Sequence, residues 1–92
     1  MRGRDAFFPA PEEPPQELID HIQQAMAAEQ WLDIAYQSLV DRRPYWRRVY
    51  PLRLEARGRL YYLHAYCALA EADRIFRLDR IADYSIARAI SE

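Results

Sequence analysis

The chain has 92 residues, of which 51% are apolar and 29% charged, with a net charge of −1. That balance fits one folded domain with a thin core and excludes a disordered chain. No apolar run approaches the roughly 20 residues of a bilayer-spanning helix, and a single cysteine excludes an internal disulfide.

The first fifteen residues, "MRGRDAFFPAPEEPP", hold four of the six prolines and read as an extended lead-in or linker. Their apolar patch is too short for a secretory signal, so the expectation is a cytoplasmic protein without a membrane segment. The domain proper is expected over residues 16–92. Leu18, Ile19, Ile22, Ala25 and Met26 recur at the spacing of one helical face, which predicts a helix over about residues 15–29. Proline suits its first turn, and Glu12, Glu13 and Glu17 suit the positive end of its dipole.

After Gln30 the period changes to two. "WLDIAYQ" predicts a strand over 31–37, with Leu32, Ile34 and Tyr36 on one face. "SLVDRRP" reads as a loop. "YWRRVYPLRLEA" predicts a strand over 45–55, with Val49, Leu52 and Leu54 as core candidates. Pro51 cannot donate a ladder hydrogen bond and the apolar parity shifts beside it, so a bulge or bend is expected there. "RGR" at 57–59 is a tight turn in which Gly58 is free to take a positive φ. "LYYLHAYCAL" predicts a strand over 59–68 that is apolar on both faces. In so small a domain that implies a closed barrel, or a sheet with the helix on one face. "AEAD" is the next turn, "RIFRLDRI" a strand over 74–81, and "ADYSIARAISE" fits a short strand, a helical turn or the start of a missing segment.

The near-neutral total hides a segregation of charge. Residues 1–41 carry two arginines against eight acids; residues 42–82 carry ten arginines against four acids. A basic middle is a usual footprint of nucleotide or nucleic-acid binding, or the complement of the acidic first third. All 13 basic residues are arginine, whose forked donors match phosphate and carboxylate oxygens. Chemistry of other kinds has little support. His21, His64 and Cys67 lie in different elements, so no metal set emerges and no cofactor is expected. Gly3 and Gly58, the two glycines, make no phosphate-binding loop. Nothing motivates a catalytic triad, and the chain is not expected to be an enzyme.

In order, the strand half reads "IAYQS", "RRVYPLRL", "YYLHAYC" and "RIFRLDRI". This series resembles the WYL domain, found mainly in bacterial regulators. The matching positions are Tyr36 and Ser38; Arg48, Val49, Pro51 and Leu52; Tyr61, Tyr62 and Leu63, where the family has Trp-Tyr-Leu; and Arg74, Phe76, Arg77, Asp79, Arg80 and Ile81. The resemblance covers about residues 16–82. It implies a mainly β fold, an Sm-like five-stranded antiparallel small barrel with one N-terminal helix. It also implies a ligand-sensing regulatory role, with nucleotides or single-stranded nucleic acid as ligands. Some helicases carry such a domain as an accessory element. The helix-turn-helix and C-terminal domains usual in the family do not fit in this chain, so a free-standing version and an excised piece both stay open. The partner expected for signalling is an attached or separate DNA-binding or helicase domain.

The candidate ligand-binding residues follow from both lines. Arg74, Arg77 and Arg80 come from the last strand, with Phe76 and Leu78 turned to the core, and Arg48 from the second strand is expected to join them. A phosphodiester is held by two or more forked donors, which a barrel brings together from separate strands. Tyr36 and Tyr62 are candidates for stacking on a base. Ser38 and His64 are minor candidates: a hydroxyl at a strand end also caps turns, and a histidine among aromatics also packs. Asp79 would neutralise or orient one of the arginines. The alternative function is a protein-interaction or homo-oligomerisation module using barrel edges and the complementary acidic and basic segments.

Overall fold

The computed structural model describes residues 14–86. Helix α1 spans Gln16–Ala27 and buries Leu18, Ile19, Ile22 and Ala25. The carbonyl of Pro15 accepts from the amides of Leu18 and Ile19 at 3.0 and 3.3 Å, which starts the helix without a side-chain cap. Glu29, at φ 54°, ends it. The amide of Gln30 reaches the carbonyl of Ala25, and that of Glu29 reaches Met26, a Schellman closure carried by a residue other than glycine.

Five antiparallel strands follow: β1 Leu32–Tyr36, β2 Tyr45–Arg57, β3 Leu60–Cys67, β4 Ala72–Arg77 and β5 Ile81–Ile86. They form one sheet in the order β4-β3-β2-β1-β5. β2 is the hinge of this sheet. Its first residues pair with β1, from Tyr36 opposite Tyr45 to Leu32 opposite Val49. Its later residues, from Val49 on, pair with β3. At the proline the register slips, from Pro51 opposite Ala65 to Arg53 opposite His64. Leu52 is therefore the extra residue of a bulge. The bulge resets the parity: Val49 and Pro51 are buried, Leu54 packs at the margin of the core, and Leu52 is 49% exposed. The expectation of Leu52 in the core is thus corrected by the bulge expected beside it. Gly58, at φ 57°, makes the tight connection to β3.

The inner face of the sheet carries Leu32, Ile34, Tyr36, Val49, Leu63, Ala65, Cys67 and Phe76, and α1 closes over them with Leu18, Ile19, Ile22 and Ala25. The fold is mainly β with one N-terminal helix, but the barrel is not closed. β4 and β5 are the two edges of the ladder, with no pairing between them. The sheet nevertheless curls until the end of β1 meets the end of β4. The Tyr36 and Phe76 rings stand edge to face, 4.9 Å apart at 82°, and the Arg77 amide donates to the Tyr36 hydroxyl at 3.1 Å.

The segment "RIFRLDRI" is not one strand. β4 ends at Arg77, Leu78–Arg80 form a single 3₁₀ turn, and Ile81 opens β5. The cause is topological. β4 and β5 lie at opposite ends of the ladder, so the chain must leave one edge and enter the other within a few residues. The turn does this while keeping both Phe76 and Leu78 buried, at 3% and 1% exposure. β5 then pairs along β1, with an irregularity at Ala35 and Tyr36.

Candidate ligand site at the junction of β1 and β4

A cavity of about 410 Å³ opens where the curled sheet brings these strand ends together. Tyr36, Ser38, Arg47, Tyr62, Arg74, Arg77 and Arg80 line it, beside the apolar walls of Leu39, Ile75 and Phe76. Six of the eight residues expected from the sequence therefore meet at one place: Tyr36, Ser38, Tyr62, Arg74, Arg77 and Arg80. They arrive from β1, the following loop, β3, β4 and the 3₁₀ turn.

Each is held differently. Tyr36 is almost fully buried, 8% exposed, with its hydroxyl committed to the Arg77 amide. Its ring is a wall of the cavity, and the Arg47 guanidinium lies 5.9 Å from its centroid, within cation–π range. Tyr62 sits opposite Arg77 in the β3–β4 ladder, and the Arg57 guanidinium lies 5.0 Å from its ring centroid. Arg77 makes a forked pair with Asp79, at 3.0 and 2.6 Å. The aspartate thus holds the guanidinium in one orientation. Arg80 reaches the carbonyl of Gln37 at 3.4 Å, while the Gln37 amide donates to the Arg80 carbonyl at 3.1 Å, so the turn and the end of β1 are tied both ways. Arg74 donates to the carbonyl of Asp73. Among the described residues neither Arg74 nor Arg80 has a carboxylate partner. The Ser38 hydroxyl donates to Asp41 at 2.8 Å.

Arg48 and His64 lie elsewhere. Arg48 stands opposite Asp33 on the outer face and makes a forked pair with it, at 2.9 and 3.1 Å. His64 belongs to a second charged cluster on the outer face. Its Nε2 donates to Glu55 at 2.8 Å, and Arg57 donates to the same carboxylate at 2.7 Å. These donors, Arg57 first and then His64, pull the Glu55 carboxyl down to about 2.

Arg47 is the cavity arginine that the sequence reading passed over. It sits opposite Ile34 in the β1–β2 ladder and so shares the inner face. The signal was present: Val49 is a core residue, and two-residue periodicity puts Arg47, not Arg48, on its side of the strand. The resemblance to the family pattern drew the choice to Arg48 instead.

Comparisons with known proteins agree with this architecture. No curated protein matches the chain. Among solved structures, proteasome accessory factor B/C (PafBC) of Arthrobacter aurescens is similar, with 34% sequence identity and a TM-score of 0.73. The match covers 83% of this chain and 12% of that one, so this chain spans a small part of that protein's length. The model of the WYL domain matches residues 17–86. That span runs from the first turn of α1 to the end of β5, and with it the chain belongs to the WYL domain family.

Proposed function

We propose that this WYL domain is a non-enzymatic regulatory module that binds a nucleotide or a single-stranded nucleic acid in the arginine-lined cavity. The observation that carries the reading is the convergence of Arg47, Arg74, Arg77 and Arg80 with the Tyr36 and Tyr62 rings around one opening. Forked donors suit phosphate oxygens, and an aromatic wall beside them suits a base. The remaining candidates, Arg48 and His64, act on the outer face as partners of Asp33 and Glu55. Occupancy is read out by an attached or separate DNA-binding or helicase domain. The similar structure supports that part of the reading, because the matched region there is one part of a longer chain.

The test is fluorescence anisotropy with a labelled oligothymidylate and, separately, competition by ATP, across a salt series. Each phosphate neutralised on a single strand adds about −0.7 to the slope of log K against log salt. Arg74→Ala, Arg77→Ala and Arg80→Ala should each weaken binding and flatten the slope. Binding that ignores salt, or is unchanged in Arg77→Ala and Arg80→Ala, overturns the reading. Competition by ATP at matched phosphate concentration assigns a mononucleotide; competition by oligomers alone assigns a strand.

A further inference from the structure

An anion stands beside the cavity, in contact with two of its lining residues, Ser38 and Arg47. Asp41 lies in the loop between β1 and β2, and its Oδ2 accepts from the Ser38 amide at 3.1 Å and the Ser38 hydroxyl at 2.8 Å. The same oxygen stands 3.7 Å from Arg47 Nη2. These contacts hold the Asp41 carboxyl below its ordinary value, Ser38 contributing first and Arg47 less.

Arg47 is poorly served by this pairing. At 3.7 Å the contact is an ion pair rather than a good hydrogen bond. Its Nε is buried and has no hydrogen-bond partner among the described residues. One residue along, Arg48 shows the alternative: a carboxylate squarely in the fork, with Nε and Nη2 both used. Arg47 has the same donors, an aromatic ring beneath it and an open cavity beside it, but among the described residues only a loose counter-ion at one nitrogen. A buried N–H left without an acceptor is costly, and a charged one more so.

We propose that Asp41, beside the cavity, is the resident counter-ion of Arg47 and competes with an incoming phosphate for its guanidinium. This rests on the reading of the cavity as a phosphate-binding site. A phosphate group offers the two oxygens that the fork lacks, so the ligand takes the Arg47 guanidinium from Asp41. Asp41 thereby lowers affinity for weakly charged anions and sets a threshold that a phosphate passes. Asp41 is also bonded to Ser38 across a turn that carries Leu39 and Val40, which are 83% and 89% exposed, and Leu39 lines the cavity. Release of the carboxylate therefore acts on the most exposed apolar residues beside the site.

The experiment uses the labelled oligothymidylate on the wild-type chain, on Asp41→Asn and Asp41→Ala, and on both again in an Arg47→Gln background. Asp41→Asn keeps an acceptor for Ser38 and removes the charge, so it should bind about tenfold more tightly at low salt. Asp41→Ala should shift in the same direction, and cooperative melting by circular dichroism checks that each variant is folded. In the Arg47→Gln background the gain should shrink to less than about twofold, as coupled partners require. Equal affinity of wild type and both Asp41 variants overturns the inference while leaving the cavity reading intact. An undiminished gain in the Arg47→Gln background overturns it too, because the charge then acts at a distance and not through Arg47. No binding by any form overturns both.

Discussion

Glu55 shows what a single surface carboxylate does when several donors converge on it. His64, Arg57 and, at 3.8 Å, Arg53 surround it on the outer face of β2 and β3. Its ordinary value of 4.5 falls to about 2 in the folded chain. A depressed carboxylate stabilises the fold in full above its unfolded value, and that contribution disappears as pH falls through the folded one. The wild-type melting temperature should therefore drop more steeply between pH 4.5 and 2 than that of Glu55→Gln. The two should differ at pH 7 and converge near the acid end, as followed by circular dichroism melts. At the same scale, the choice between Arg47 and Arg48 turned on one step of parity. Two adjacent arginines of the same strand met opposite fates because Ile34 faces one and Asp33 the other.

At the scale of the element, β2 decides the geometry. It is 13 residues long, pairs with two neighbours and changes face at its bulge. The sequence signalled the bulge through Pro51 and the parity shift, yet its consequence for Leu52 needed the pairing partner to be seen. An extra residue moves every later side chain to the other face. Leu52→Thr should accordingly change stability by no more than about 0.5 kcal/mol in urea denaturation, as for an exposed site away from the core. A loss of the size expected for a buried leucine would mean that the bulge is absent in solution. The 3₁₀ turn is the other element that periodicity could not reveal. Arginines alternating with apolar residues read as one strand through Ile81, and only the ladder order explains why it breaks after Arg77.

At the scale of the whole molecule, the core is small and shared by every strand that frames the cavity. Leu63 is fully buried at its centre, opposite Leu54 on one side and Phe76 on the other. Leu63→Ala should cost about 2–5 kcal/mol, measured by urea unfolding, and domains of this kind have only about 5–15 kcal/mol in total. Ligand affinity should fall with it, since β3 and β4 carry Tyr62, Arg74 and Arg77 into the site. Among the described residues no helix is long and apolar enough to cross a membrane. The sequence alone determined the helix, the periods of the strands, the bulge beside Pro51, the turn at Gly58 and the order of motifs that marks the family. Those features depend on near neighbours along the chain, where spacing dictates which side a residue takes. The tertiary structure alone decided that the sheet curls without closing, that "RIFRLDRI" breaks after Arg77, and that Asp41 stands against Arg47 beside the cavity. Those outcomes depend on how far the curl of the sheet carries the end of β1 toward the end of β4, which no local spacing records.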